Sequence, residues 1–228
     1  MKKIYQSVIV CIFIFIKTNT AAGQTFSITF DLPELYKKNQ LEAISGEVRW
    51  FIEDGKQGIS ISESQSYGIV WLRGIEFSNG VIEVDIRFSV NDRQSLAGIA
   101  FHGIDNDTFD AVYFRPFNIL SGDPEQRNNS ILYISHSEDR STVLQEGSTV
   151  ISENRETIST VEDGWFHVRI SVQNLRITVY INDSPEPDLT VNKLNDRRLG
   201  RIGFLTGYNS GSYFANLKLI IRKQDNFK

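Results

Sequence analysis

The chain has 228 residues and a formal charge of −4 at pH 7, with 28 acids against 24 Lys and Arg and a single Cys. An acidic chain without a basic patch interleaved with aromatics excludes a nucleic-acid partner and argues against anionic membrane surfaces. The one cysteine, Cys11, excludes an intramolecular disulfide framework.

The chain opens as a targeting segment. Lys2 and Lys3 form a basic start, Val8 to Ile16 is an apolar run too short to span a bilayer as a helix, and Thr20-Ala21-Ala22-Gly23 offers small residues for cleavage. Residues 1–23 are therefore expected to be a signal peptide. Its removal takes Lys2, Lys3 and Lys17 and no acid, so the formal charge moves from −4 to −7. It also takes Cys11 and with it any thiol chemistry. Residues 24–228 are then expected as one exported domain, periplasmic or secreted, with no integral membrane segment.

In chain order, Phe26 to Asp31 reads as a short opening strand, and Leu32 to Glu42 as a short helix or covering loop. Glu47 to Glu53 is a connection or edge strand, and Gly58 to Ser62 a strand. Tyr67 to Arg73 alternates Val70 and Leu72 on one face with Ile69, Trp71 and Arg73 on the other. Asn79-Gly80 reads as a hairpin turn into Val81 to Phe88, where Ile82, Val84 and Ile86 oppose Glu83, Asp85 and Arg87. Asn91-Asp92-Arg93 is a further turn.

Ser95 to His136 reads as three strands with one buried face. Ile99, Phe101, Val112, Phe114, Leu132 and Ile134 are expected inward. Ala100, His102, Ala111, Tyr113, Arg115, Tyr133 and Ser135 are expected outward. Small residues beside Tyr, His and Arg suggest a surface that receives a flat polar ligand such as a sugar. Asp105-Asn106-Asp107 reads as a tight turn. It lacks the glycine and distal glutamate of a helix-loop-helix calcium site, although a loop-built calcium site stays open. No other metal or cofactor motif is evident.

Ser137 to Glu162 has no clear period. Trp165 to Gln173 and Leu175 to Asn182 form a strand pair, with Phe166, Val168 and Ile170 facing the core, and Asn182-Asp183 is a hairpin turn. Leu189 to Val191, Gly200 to Thr206 and Ser212 to Arg222 complete the chain, the last strand expected to pair beside the first. Short strands at this spacing mean an all-β sandwich or barrel.

The stretch GIAFHGIDNDTFDAVYFRPFN resembles the central segment of the 3-keto-disaccharide hydrolase domain family. The likeness extends to EFSNGVIEVDIRF, DGWFHVRI, VYIND and GSYFANLKL. The resemblance implies a concanavalin A-like jelly-roll sandwich of two antiparallel sheets, shared with laminin G-like domains and family 16 glycoside hydrolases. Relatives carry a Trp-Xaa-Xaa-Leu-Arg insert where this chain has no tryptophan between 137 and 162. Family 16 enzymes use Glu-Xaa-Asp-Xaa-(Xaa)-Glu on one strand. Here Glu83 and Asp85 match, but Arg87 stands where the acid/base carboxylate belongs, so that mechanism is broken.

The resemblance supplies a substrate class, 3-keto-glycosides, whose C2 proton is acidified by the ketone. On that reading His102 is expected as the base, with Arg115 and Tyr113 holding the enolate oxygen. Trp71 is expected as a stacking platform, with Arg73, Glu83, Asp85, Arg87, Tyr133 and Ser135 contacting substrate. The alternative is a non-catalytic carbohydrate-binding or adhesive laminin G-like module.

Overall fold

The computed structural model describes residues 16–18, 25–53, 55–63, 67–88, 95–119, 121–136, 144–146, 164–207 and 210–222. Most of residues 1–23, expected to be a signal peptide, the expected turn at Asn91-Asp92-Arg93 and nearly all of 137–162 lie outside them.

The chain runs β1 (Ile16–Thr18), β2 (Thr25–Thr29), helix α1 (Leu32–Lys37), β3 (Leu41–Ala43), and the hairpin β4 (Val48–Glu53) and β5 (Lys56–Ile61). It continues through β6 (Gly68–Phe77), β7 (Gly80–Phe88), β8 (Leu96–Gly103) and β9 (Phe109–Phe114). Two one-turn helices, α2 (Pro116–Ile119) and α3 (Pro124–Arg127), precede β10 (Ile131–His136) and β11 (Leu144–Glu146). The remaining strands are β12 (Trp165–Gln173), β13 (Arg176–Ile181), β14 (Leu189–Asn192), β15 (Gly200–Gly207) and β16 (Ser212–Arg222).

They form two antiparallel sheets. The nine-stranded sheet runs β1-β2-β16-β7-β12-β13-β14, with β5 also pairing β16 and β4 pairing β5. The seven-stranded sheet runs β11-β10-β9-β8-β15-β6-β3. The last strand returns beside β2, with Ile220 opposite Ser27. The sandwich expected from strand spacing is what forms.

Asn79-Gly80 is not a hairpin turn. β6 belongs to the seven-stranded sheet and β7 to the nine-stranded one, so this dipeptide carries the chain across from sheet to sheet. The Asn79 side chain holds the crossover by accepting the Asn174 amide at 2.8 Å.

Between the sheets lies the main core. Ile82, Val84, Ile86, Phe166, Val168 and Ile170 from one sheet meet Val70, Leu72, Ile99, Phe101, Val112 and Phe114 from the other, all but sealed from water. Each such side chain contributes about 1.5–3 kcal/mol. The seven-stranded sheet is buried on its other face too. There Ile69, Trp71, Ala100, Phe109, Ala111, Tyr113, Leu132, Ile134 and Leu205 form a second apolar cluster.

That double burial explains an inverted strand. Tyr133 lies opposite Val112, and Leu132 opposite Tyr113. Directly opposite residues share a face. Ile131 and Tyr133 therefore point into the main core, while Leu132 and Ile134 join the outer cluster, the reverse of the expected phase. β10 is apolar on both sides, so its alternation carried no sign.

Candidate functional site

Two carboxylates gather the polar chemistry of the described residues. The first is Asp110, at an inward position of β9 and fully buried. Its Oδ1 accepts from Tyr133 Oη at 2.9 Å, Arg197 Nη2 at 2.8 Å and Asn195 Nδ2 at 2.5 Å. Lys193 Nζ lies 3.1 Å from Oδ2, and its side chain is sealed as well. Ser135 Oγ accepts from both Asn195 and Arg197, so the two residues expected to meet substrate, Tyr133 and Ser135, are instead built into this inner network. Lys193 to Arg197, the segment between β14 and β15, is pinned by it across the end of β9 and β10.

His102 belongs to the same network. β8 and β15 pair as Ala100 with Gly203 and Gly103 with Arg201, so Phe101 and His102 together face the single residue Ile202. This is a β-bulge. His102 takes φ 51, which turns its ring off the outer face. The ring is completely buried and stacks on Phe77 with centroids 6.0 Å apart.

Both ring nitrogens of His102 are engaged. Nε2 lies 2.7 Å from the Ser78 carbonyl, which can only accept, so Nε2 carries a proton. Nδ1 lies 2.8 Å from Lys193 Nζ and 3.2 Å from Asp110 Oδ2. With both nitrogens engaged and no exposure, His102 in this arrangement cannot take a proton from a substrate. The expected base is a structural residue.

Burial alone would raise the Asp110 carboxyl. The contacts with His102 and Arg197, and the charges of Arg197 and Lys193, outweigh it and hold the group well below the usual carboxylate range. Burial pushes the Tyr133 phenol far up, reinforced by the Asp110 charge. It also lowers the Lys193 amine despite Asp110 beside it.

The outer face of the seven-stranded sheet carries the other expected residues. Trp71 is fully buried rather than an open platform. Its Nε1 donates to Asn106 at 2.9 Å, the Arg201 guanidinium lies 4.8 Å over the ring, and Gly103 lies beneath it. A Cβ at Gly103 would come within 2.6 Å of the indole, so only glycine admits this packing. Tyr113 is nearly sealed, and its hydroxyl accepts from Arg115 at 3.3 Å. Arg73 is half-exposed and 3.7 Å from Glu42, at the sheet's edge. Asp105 accepts the amides of Asp107 and Thr108, which makes this segment the tight turn expected of it.

The second carboxylate is Asp85, on the outer face of the nine-stranded sheet. Phe166 and Val168 point inward on β12, so His167 points outward, directly opposite Asp85 on β7. His167 Nδ1 is 2.7 Å from Asp85 Oδ1. Asp85 Oδ2 accepts from Lys56 Nζ at 2.6 Å and Asn216 Nδ2 at 2.7 Å. Asn216 reaches it from a bulge in β16, where Asn216 and Leu217 together oppose Val84 and Asn216 takes φ 55.

Three donors hold this carboxylate ionised. Burial would raise it, but the bonds from His167, Lys56 and Asn216 bring it down to about 2. The hydrogen bond to Asp85 in turn raises the His167 imidazole, against the opposing effect of burial. Because ionised Asp85 can only accept, Nδ1 carries the proton, and neutral His167 presents a basic Nε2. The His167 side chain is 31% exposed, and Nε2 has no hydrogen-bond partner among the described residues.

The other two expected residues of β7 flank this pair. Glu83 bridges to Lys218 at 2.9 Å. Arg87 bridges to Glu53 at 3.1 Å and lies 4.2 Å over Tyr213 and 5.0 Å from the Trp165 ring. Arg169, outward on β12 beyond His167, stacks 4.0 Å over Tyr180.

His167, Lys56 and Asn216 were not among the expected site residues. His167 was findable, because DGWFHVRI alternates and places it outward. What the sequence lacked was the register setting it opposite Asp85. Asp110 was findable as a carboxylate at an inward strand position, two residues from Val112.

A family model described as the 3-keto-alpha-glucoside-1,2-lyase-like domain matches residues 34–220. Solved structures agree in fold. A carbohydrate-binding module, CBM66 from Bacillus subtilis, superposes with a TM-score of 0.56 at 13% identity, over 79% of this chain and 95% of its own. A Bacillus subtilis protein of unknown function with a galectin-like fold gives 0.55 at 12%, over 92% and 100%. A Bacillus licheniformis beta-glucanase gives 0.52 at 11%, over 90% and 100%. No curated protein matches the sequence.

Proposed function

The chain belongs to the 3-keto-alpha-glucoside-1,2-lyase-like domain family, and from that premise we propose that it eliminates the aglycone from 3-keto-glycosides at the outer face of the nine-stranded sheet. The observation that carries this reading is the Asp85–His167 pair, with one imidazole nitrogen held by a carboxylate and the other open. Neutral His167 takes the C2 proton at Nε2. The electrons pass into the C2–C3 bond and onto the ketone oxygen as an enolate. They return to form the C1–C2 double bond as the C1–oxygen bond breaks, and the imidazolium protonates the departing oxygen. Asp85 orients the ring and stabilises its charged form. Lys56, 2.6 Å from Asp85, supplies a half-open cation beside the developing enolate. Action outside the cytoplasm is part of the same proposal, supported by the basic start and apolar run of residues 2–16, which are the pattern of a targeting segment.

A second reading is favoured by the aromatic and guanidinium pairs on either side of His167, Arg87 with Tyr213 and Arg169 with Tyr180. Such a row suits glycan binding without turnover. The two are separated by following release of the alcohol from a 3-keto-glucoside. His167→Gln is expected to lower kcat by about a hundredfold to ten-thousandfold with KM little changed. Turnover that survives His167→Gln would sink the elimination site. A wild type that binds glycans but releases nothing would establish the binding module.

A further inference from the structure

A cavity of about 310 Å³ opens at the edge of the seven-stranded sheet, away from both carboxylate clusters. It exists because β6 outruns its neighbour. β3 pairs only with Val70, Trp71 and Leu72, and the Arg73 amide donates to Gln40 just beyond. Past Arg73 that edge of β6 has no strand beside it among the described residues, and α1 closes the space instead. The floor is Phe30, Leu35, Leu72 and Ile75, all continuous with the main core. Asp31, Glu34, Lys38 and Arg73 ring the mouth.

The charges at the mouth are not balanced pair by pair. Glu34 is held by Lys37 at 3.0 Å, which leaves Lys38 at 3.9 Å as its second, looser cation. Glu42 is held by Arg201 at 2.9 Å, which leaves Arg73 at 3.7 Å in the same position. The remaining acid, Asp31, accepts the Glu34 amide at 3.0 Å as the cap of α1. Lys38 and Arg73 are both about half-exposed, so each can turn to a new anion without abandoning a strong bond.

We infer that this cavity binds a small amphipathic anion, with an aliphatic body on the Phe30, Leu35, Leu72 and Ile75 floor and a carboxylate between Lys38 and Arg73. The volume is at the low end of small-molecule sites, and an apolar floor with a few convergent polar groups is how such sites are built. The flat guanidinium of Arg73 suits a two-pronged carboxylate better than a point charge does. This inference is independent of the elimination chemistry, since the cavity shares no residue with the Asp85–His167 pair.

Titration calorimetry of the full chain with octanoate tests it, with octan-1-ol and octylamine as companions of equal length. Octanoate is expected to bind saturably and at least about tenfold more tightly than either companion, the worth of one charge-assisted contact. Arg73→Gln is expected to weaken octanoate by about the same factor. Leu35→Trp is expected to fill the cavity and abolish binding. Should Leu35→Trp fail to fold, Arg73→Gln and octanoate-induced methyl shifts of Leu35, Leu72 and Ile75 decide the matter. Absence of saturable binding, equal affinity for octylamine, or octanoate binding untouched by Arg73→Gln would each overturn the proposal.

Discussion

Asp110 and Asp85 solve the same problem in opposite surroundings. Each is a strand carboxylate ringed by cationic and amide donors, and each is depressed below its ordinary pKa against the effect of burial. Asp110 is sealed, and His102, Tyr133, Lys193, Asn195 and Arg197 around it all bond to other protein groups, with only the buried Arg197 Nε lacking a partner among the described residues. Asp85 has a histidine that keeps one nitrogen open and a lysine that is 31% exposed. The difference teaches what a buried charge network is for. One that closes on itself orients chain segments, and one that opens on a single side can move a proton. His102 looks functional in sequence, yet it is the partly exposed His167 that keeps a ring nitrogen open.

The sharpest way to break this comparison is Asp110→Asn. It leaves the buried Lys193 and Arg197 cations without their carboxylate, and is expected to cost about 3–5 kcal/mol in chemical denaturation. A loss under about 1 kcal/mol would mean the segment from Lys193 to Arg197 is held by something else.

Asp85→Asn is expected to cost less, about 1–2 kcal/mol, because Lys56 and His167 can turn to water. Its larger signature is in pH. Asp85 is depressed to about 2, so its stabilisation is present above the unfolded carboxylate pKa near 4 and fades as pH falls toward 2. His167 is raised, so its contribution is complete below about 6.5 and fades as pH rises through its folded value. Wild-type stability should therefore fall on both flanks of that window, and Asp85→Asn should flatten both. Where turnover is measured, its rise with pH should be centred above about 6.5 and should move down in Asp85→Asn. A profile that ignores Asp85→Asn would remove the pair from the chemistry.

The smallest expected effect is Glu83→Gln. Its partner Lys218 has a side chain 37% exposed, and the change should stay within about 0.5 kcal/mol with turnover unaltered. Loss of turnover there would return the chemistry to the carboxylates of β7.

Most of the strands and the sandwich were legible because period-two alternation needs only one wet face to be read, whereas the Asn79-Gly80 dipeptide did not tell a hairpin from a crossover between sheets. On β7 the alternation places Glu83, Asp85 and Arg87 outward, and on β12 the same alternation puts His167 outward, as in the structure. It failed where the seven-stranded sheet is buried on both sides. There, apolar residues occupy both phases of β10, and Tyr133 was read as outward when its hydroxyl serves Asp110 within. Phe114 and Tyr113 were expected to differ sharply in burial, yet Tyr113 is only 3% exposed.

The sequence by itself determined most of the strands, the all-β sandwich and the family, since each rests on local pattern or on contiguous matches along the chain, while the short strands β3 and β11 left no readable period. Tertiary structure alone decided the site. The face of His102 depends on a bulge against Ile202, a hundred residues away. The reach of Asn216 depends on a second bulge opposite Val84. The meeting of Asp85 with His167, 82 positions apart, depends on a register that no local pattern encodes. One residue of slip would have turned that pair to opposite faces of the sheet.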